Sequence, residues 1–322
     1  MSTLDATTES TRRLSGRRVH LGDLILQLVA GAATLAALVL VFLIVWKVID
    51  GARPAIEQFG VGFVTHVGWD PVKQVFGAGS FLFGTAVTSL VALLLAAPLS
   101  LGIALFLTEL APGAIRGPVT ALVETLAAIP SVVIGLWGIL VLGPVLSDHV
   151  EPFLHDTLGF IPLFGTPGSG SSMFTAIIVL TIMILPIVSS ISRELFLGVP
   201  SELKEAALGL GTTRWEMVRG VMFPYARGGI AAALILGLGR ALGEAIAVTQ
   251  VIGAFVGIQW NLFSPGDTLA SRIAAEYQGA TSNLEVASLI YLGLILLVFS
   301  LLVNLLAQWI VRTVARRQGL AS

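Results

Sequence analysis

The sequence predicts an all-α integral membrane protein with six transmembrane helices. Its 322 residues are 56% hydrophobic and 11% charged, and the mean hydropathy of +0.93 excludes a soluble globular protein. A spanning helix requires roughly 20 mostly apolar residues, and six segments meet that length. The predicted spans are Leu24–Trp46, Phe81–Leu107, Val119–Gly143, Met173–Ile191, Ile230–Gly257 and Val286–Val311.

Composition excludes several function classes. The 18 Lys and Arg residues nearly balance the 19 Asp and Glu residues, so no general polyanion-binding surface is expected, which argues against a nucleic-acid partner. The chain has no cysteine and therefore no disulfide framework, thiol chemistry or Cys-ligated metal. The four histidines lie outside the predicted spans and lack metal-ligand spacing, so no metal site is predicted: His20, His66, His149 and His155.

The basic residues predict the orientation of the spans in the membrane. The first apolar run is longer than a cleavable signal sequence and has no Ala-x-Ala site after it, so we interpret it as a signal anchor. Six spans then place both termini in the cytoplasm, and the positive-inside rule agrees. The predicted inside residues are Arg12, Arg13, Arg17, Arg18, Arg116, Arg193, Lys204, Arg214, Arg219, Arg227, Arg312, Arg316 and Arg317, against Lys47, Arg53, Lys73 and Arg272 outside.

The chain divides into four predicted parts. Residues 1–20 are rich in Ser, Thr and Arg and are predicted to form a disordered cytoplasmic terminus. Residues 21–80 hold the first span and an external segment, residues 81–315 form the main transmembrane domain, and residues 316–322 form a cytoplasmic tail. The Gly-, Ser- and Pro-rich half of Pro144–Ser172 predicts an irregular external loop.

Three prolines lie within predicted spans. Pro98, Pro130 and Pro186 fall in spans two, three and four, and each is expected to kink its helix. The backbone groups that lose their helical hydrogen bonds at such kinks must then bond to neighbouring helices or face a cavity.

The segment 192–227, between spans four and five, carries nine charges and is predicted to fold into two helices. Ser201 is a candidate cap for a first helix, which Gly209 and Gly211 would end. Thr213 followed by Glu216 predicts a capping box that starts a second helix.

The second predicted helix has an apolar face. Trp215, Val218 and Met222 recur at helical spacing, and Pro224 is expected to bend the chain into span five. One interpretation is a polar connection with no further role. The other is a docking surface for a separate protein.

The spacing within this segment resembles the EAA loop of binding-protein-dependent ABC importer permeases, which have the type I, MetI-like fold. The matching positions are Glu205-Ala-Ala, Gly211 and Val221-x-Phe223-Pro224, with Val221 in place of the usual Ile and Phe223 in place of the usual Leu. In that family the short helix lies in a groove of the nucleotide-binding subunit. The resemblance assigns ATPase coupling to Glu205, Ala206, Ala207, Gly211, Thr213, Arg214 and Pro224.

The chain itself has no predicted ATP site. A Walker A motif requires Gly-Lys-Ser/Thr, but Lys47, Lys73 and Lys204 follow Trp, Val and Leu. We therefore expect no cofactor on this chain, with ATP and Mg bound by a partner ATPase.

Span five contains two charged residues, Arg240 and Glu244. An arginine near mid-bilayer costs about 2.5–3.5 kcal/mol or more unless it is paired or hydrated. Four residues separate the two on one helical face, so they are close enough to pair. Either the pair neutralises itself inside the bundle, or it lines a polar pathway. The planar arginine guanidinium would donate hydrogen bonds to phosphate oxygens, and a carboxylate would accept one from a P–OH group, which sulfate lacks.

Glu109 and Glu124 lie nearer the cytoplasmic side and are interpreted as structural.

Further segments resemble the PstC-type permeases of bacterial phosphate ABC importers. They are Ile129-Pro-Ser-Val-Val-Ile-Gly-Leu-Trp-Gly138, the loop from Glu205 to Glu216 with Pro224-Tyr-Ala-Arg227, and Arg240-Ala-Leu-Gly-Glu244 with the stretch 247–253. The resemblance covers roughly residues 20–315 and implies that Arg240 and Glu244 act in phosphate passage.

The resemblance also implies partners: a PstA-like second permease, a PstB-like ATPase dimer and a PstS-like phosphate-binding protein outside, with membrane lipid around the helices. Transport of another oxyanion remains an alternative. An ion-driven secondary transporter would also place charges within spans, but it would not need the loop 192–227. An intramembrane enzyme acting on lipid phosphates would need a nucleophile or metal carboxylates, and the predicted spans offer only Glu124 and Glu244.

Overall fold

The computed structural model describes residues 21–317. The predicted disordered terminus 1–20, with its four arginines, and residues 318–322 of the predicted tail lie outside the described residues. The chain forms two compact units, residues 1–47 and residues 48–322. Within the described residues of the first unit the chain is helical, and the second unit contains the sites described below.

Helices account for nearly all regular structure between residues 21 and 317, where one isolated β-bridge joins Asp70 and Val75. Four π-helical turns extend or join the α-helices: Phe106–Leu110, Gly138–Leu142, Leu146–Val150 and Val218–Met222. The α-helices are α1 (Leu21–Phe59), α2 (Gly79–Leu105), α3 (Gly113–Ala128), α4 (Ser131–Trp137), α5 (Gly143–Val145), α6 (Glu151–Leu158), α7 (Met173–Leu197), α8 (Ser201–Gly209), α9 (Arg214–Met217), α10 (Phe223–Gly243), α11 (Ile246–Val251), α12 (Leu269–Glu276) and α13 (Asn283–Arg317).

Six helical stretches in the described part of the chain are long and apolar enough to cross a membrane, which confirms the predicted all-α fold and the predicted number of spans. Their bounds are Gly22–Val64, Gly79–Leu110, Ser131–Leu158, Met173–Leu197, Arg214–Gly243 and Asn283–Thr313.

The third span differs from the prediction Val119–Gly143. The chain is extended at Ile129 and Pro130, with ψ values of 127° and 138°, so α3 ends before them and a new helix begins at Ser131. The proline ring disfavours helical geometry in the residue that precedes it, which explains why the helix stops here rather than kinking. Pro98 and Pro186, in contrast, lie inside helices that continue past them.

Helix also replaces part of the predicted external loop. The third helical stretch continues to Leu158, so only residues 159–172 of the predicted loop Pro144–Ser172 are irregular, apart from one 3₁₀ turn at Pro162–Phe164. The buried Glu151 side chain holds residues 159–172 against the helix, because its carboxylate accepts hydrogen bonds from the Gly168 N–H at 2.8 Å and the Ser172 hydroxyl at 3.4 Å.

The helix α7 lies at the centre of the second unit. It is 67% buried over its most apolar window, the largest buried share of the six spans, and α2 and α10 pack against it. The backbones approach closely at Gly237 of α10, where an added Cβ atom would lie 2.8 Å from Ile184 and 2.9 Å from Val188. Small residues permit this distance between membrane helices.

A buried ionic cluster holds the segment between α11 and α13 against the start of α2. Arg272 of α12 forms an ion pair with Asp267 at 2.6 Å and a second with Glu276. Its guanidinium lies 4.9 Å from the ring centre of Phe81, and the indole of Trp69 donates to Glu276 at 2.7 Å. The cluster thus joins three chain segments that are distant in the sequence.

Hydrogen bonds complete the attachment of α12. Thr268 and Ser271 form a capping box at its N-terminus, and the Leu269 N–H donates to the Thr85 hydroxyl of α2 at 2.9 Å. Burial raises the pKa of the Asp267 carboxyl, while the attraction of Arg272 opposes that shift. Removing Arg272 would therefore raise the pKa of Asp267 further, because the largest interaction that opposes the effect of burial would be lost.

Replacing Arg272 with Met should lower the free energy of unfolding by about 3–5 kcal/mol, because the buried Asp267 carboxyl would lose its cation. SDS titration of the purified protein, followed by tryptophan fluorescence, measures this change. Lys73→Met is the matched control, since the Lys73–Asp70 pair is largely exposed and its loss should have little effect. Equal stability of the two variants would contradict the expectation.

Candidate functional site

The loop between α7 and α10 forms a short exposed helix followed by a tight turn. The helix α8 has no buried residues, so Glu205, Ala206 and the exposed Leu203 are available to a partner. Gly211 adopts φ +86°, a left-handed conformation that favours glycine, and its N–H donates to the Leu208 carbonyl at 3.0 Å. The predicted first helix is confirmed, with its end at Gly209 and the turn at Gly211.

The predicted cap at Ser201 is wrong. Ser201 is the first helical residue, and Pro200 occupies the capping position without a side-chain hydrogen bond. A proline cannot donate from its backbone, and its fixed φ suits the chain just before a helix. The sequence signal at the second helix is confirmed: the Thr213 hydroxyl accepts from the Glu216 N–H, and Glu216 accepts from the Thr213 N–H at 2.8 Å.

The second helix of the loop does not end at Pro224. It continues as one helical stretch from Arg214 to Gly243, so the predicted bounds of span five, Ile230 and Gly257, are wrong. The bend at Pro224 stays a prediction. The Phe223 N–H bonds to the Val218 carbonyl in a π-helical turn, and Pro224 follows directly. A π-turn changes the local hydrogen-bond register, which lets the helix pass a residue without an N–H.

The apolar face of this second helix fixes the loop to the bundle. Met217, Val218 and Met222 are buried against Ala104 of α2 and Phe196 of α7. Trp215, predicted to belong to the same face, is instead 64% exposed. Helical spacing does not fix which side of a one-turn helix faces the core, and here the buried side begins two residues later.

An ion pair links α8 to the end of the second span. The Lys204 ammonium lies 2.7 Å from the Glu109 carboxylate, and both side chains are about four-fifths buried. This contact agrees with the interpretation of Glu109 as structural. Glu124 lies elsewhere, at a small cleft with Thr120, Ser189 and Arg193, and is exposed.

Arg240 and Glu244 do not form the predicted ion pair. The helix α10 ends at Gly243, and Glu244 has an extended backbone with ψ 114°, so the two residues do not share a helical face. The ion pairs found among residues 21–317 do not include these two. The Glu244 carboxylate instead accepts a hydrogen bond from the Ala247 N–H at 3.3 Å, at the start of α11.

Arg240 lies in an open groove between α10 and α13. The groove has a volume of about 660 Å³ and is lined mainly by apolar residues, with Ile187 of α7 at one side. Two further polar residues, Asn304 and Gln308 of α13, line the same groove. Sequence reasoning missed them, although two amides four residues apart in an apolar span are visible in the sequence.

Sequence reasoning also missed the ionic cluster of Asp267, Arg272 and Glu276. Its signal was the Thr268-x-x-Ser271 spacing, which marks a helix start within a segment otherwise read as connecting chain. Between residues 21 and 317, no group of three or more His, Asp or Glu side chains comes together as a metal site would require.

Comparison with known proteins extends these observations. Residues 99–317 match the family described as the binding-protein-dependent transport system inner membrane component. A phosphate transport system permease protein PstC of Mesorhizobium japonicum is 42% identical over 314 residues, which cover 96% of each chain. The PstC protein of Xylella fastidiosa is 40% identical over 301 residues, covering 92% of this chain and 93% of that protein.

Solved structures of importers share the fold. A bacterial alginate ABC transporter, solved with its alginate-bound periplasmic protein, aligns with a TM-score of 0.60 and 19% identity, covering 91% of this chain and 97% of the other. The inward-facing MetNI methionine ABC transporter aligns with a TM-score of 0.53 and 20% identity, covering 73% of this chain and 94% of the other. At these identities the likeness concerns the fold alone.

From the family match and the curated relatives together, the chain belongs to the binding-protein-dependent transport system inner membrane components, and among them to the PstC-type permeases.

Proposed function

We propose that this multi-pass membrane protein is the permease subunit of an ATP-driven importer that moves inorganic phosphate across the cytoplasmic membrane. The observation that carries the proposal is the exposed helix α8, fixed to the bundle by the Met217–Met222 packing and the Lys204–Glu109 ion pair. Relatives named as phosphate transport system permeases supply the substrate. Both termini and α8 are cytoplasmic in this proposal.

The energy for transport comes from a separate ATPase. A PstB-like dimer binds ATP and Mg and holds α8 in a groove, so this chain has no catalytic role and binds no cofactor. A PstA-like permease completes the pathway, and a PstS-like protein delivers phosphate from outside. Closure of the ATPase dimer then moves α8, and with it the helices to which α8 is attached.

Within the pathway, Arg240 attracts the anion. Its guanidinium is exposed to the groove and offers several N–H donors in a fixed plane, which suits phosphate oxygens. Glu244 remains a proposed pathway residue, placed just beyond the end of α10, where it also orients the start of α11.

The partners are tested by co-purification from native membranes in a mild detergent. We expect an ATPase and a second permease to accompany the tagged chain. Replacing Glu205 and Leu203 with Arg should release the ATPase while the second permease stays bound, because α8 is exposed and these changes leave the bundle intact. Recovery of the chain alone, with uptake that needs no ATPase, would instead favour an ion-driven transporter.

Replacing Arg240 with Leu should lower phosphate uptake at least tenfold, since a charge-assisted hydrogen bond contributes about 1.5–3 kcal/mol. Uptake of radiolabelled phosphate into vesicles that contain the whole complex measures the effect. Arg312→Leu, on an exposed residue near the end of α13, is the control and should leave uptake unchanged. Parental uptake by Arg240→Leu in an assembled complex would remove Arg240 from the pathway.

Replacing Gly211 with Pro should uncouple ATP hydrolysis from transport. Proline cannot adopt φ +86° and removes the N–H that bonds to Leu208, so the turn between α8 and α9 must change shape. The ratio of phosphate imported to ATP hydrolysed, measured in the same vesicles, should fall. Gly117→Ala in α3 is the control, because nothing lies within 4 Å of an added Cβ atom there. An unchanged ratio for Gly211→Pro would count against the coupling role of the loop.

A further inference from the structure

The groove that holds Arg240 contains one polar atom whose setting requires an explanation. The Asn304 amide oxygen is buried and has no hydrogen-bond partner within the described residues. An unpaired buried carbonyl costs about 1–3 kcal/mol, so such atoms usually indicate a missing water, ion or ligand. Here the atom belongs to a residue that lines an open groove beside an arginine.

The two amides are arranged along one side of α13. Asn304 and Gln308 are one helical turn apart and line the same groove, and Leu302 and Leu306 lie on the opposite side of the helix. Both amides lie well inside the 35-residue helix α13 rather than at its ends. Polar residues inside an apolar span commonly mark a substrate or ion route.

The groove also lacks the acceptor that the sequence assigned to it. An arginine side chain has hydrogen-bond donors but no acceptor. Arg240 alone therefore cannot distinguish a protonated oxyanion from a fully ionised one, because it makes the same contacts with both. Glu244 was expected to accept from a P–OH group, but it does not line the groove and bonds to the Ala247 N–H instead. Asn304 and Gln308 are the residues of the groove whose side chains carry acceptor oxygens, and the Asn304 oxygen is buried without a partner among the described residues.

We propose that Asn304 and Gln308 contact the transported anion together with Arg240. The Asn304 amide oxygen is buried in this structure, so the side chain turns toward the groove to accept a hydrogen bond from the P–OH of hydrogen phosphate. The Gln308 amide and the Arg240 guanidinium donate to the ionised oxygens of the same anion. The substrate class is a protonated tetrahedral oxyanion. This inference rests on the proposed importer function and adds two residues to its pathway.

The test uses the whole complex, with ATPase, second permease and binding protein, in vesicles supplied with radiolabelled inorganic phosphate. Asn304→Leu and Gln308→Leu should each lower uptake about tenfold, the loss expected for one hydrogen bond to a charged group, while the complex stays fully assembled. Asn304→Gln keeps the amide and should retain more uptake than Asn304→Leu. Leu302→Ala, on the opposite side of α13, is the matched control and should match the parental rate.

Two results would overturn the inference. The first is parental uptake by both leucine variants. The second is loss of the second permease from either variant, which would make the amides part of a subunit interface. Arg240→Leu, measured in parallel, separates this inference from the proposed function: if it alone loses uptake, the importer pathway stands and the amides do not belong to it. If Arg240→Leu also transports phosphate at the parental rate, Arg240 and its groove are not part of the transport pathway.

Discussion

The close packing of α7 against α2 and α10 is the constraint on which the rest of the second unit depends. A helix this deeply buried has no room for charge, and its apolar core extends from Met173 to Phe196. The approach at Gly237 brings α10 so close to α7 that nothing larger than glycine fits without a shift. Buried polar side chains on α7 are short hydroxyls such as Thr181 and Ser189, which donate to carbonyls of the helix itself.

The two ends of the bundle are stabilised by different kinds of contact. At the end that carries α8, an apolar cluster and the single ion pair Lys204–Glu109 hold a small helix whose outer surface stays open. At α12, a mostly buried ionic cluster of Asp267, Arg272 and Glu276 packs against the aromatic ring of Phe81. The first arrangement suits a surface that meets another protein, and the second suits a segment that must keep its shape.

Much of the architecture was predictable because its signals are local. Six apolar stretches, the Thr213–Glu216 capping box and the glycine turn at Gly211 depend on residues adjacent in the sequence, and the structure confirms them. The errors arose where backbone geometry outweighed apolar periodicity. Pro130 ended a helix that hydropathy alone would continue, and a π-helical turn carried another helix past Pro224.

The candidate site was harder to predict, since it depends on which helices meet. The sequence singled out Arg240, but the four-residue spacing to Glu244 implied a pair only if the helix continued, and it ends at Gly243. The other polar side chains in the groove with Arg240 come from α13, more than sixty residues later in the chain. No local pattern connects α10 with α13, so the sequence shows the two amides Asn304 and Gln308 but only the packed structure places them beside Arg240.

The unbroken helical stretch from Arg214 to Gly243 has a mechanical consequence. Its thirty residues extend about 45 Å at 1.5 Å per residue, with the loop next to α8 at one end and Arg240 near the other. If the stretch tilts as one body by about 5° at its base, its far end moves by about 4 Å, more than the length of a hydrogen bond. A small rotation at one end of this stretch would therefore move the other end by more than the length of one side-chain contact.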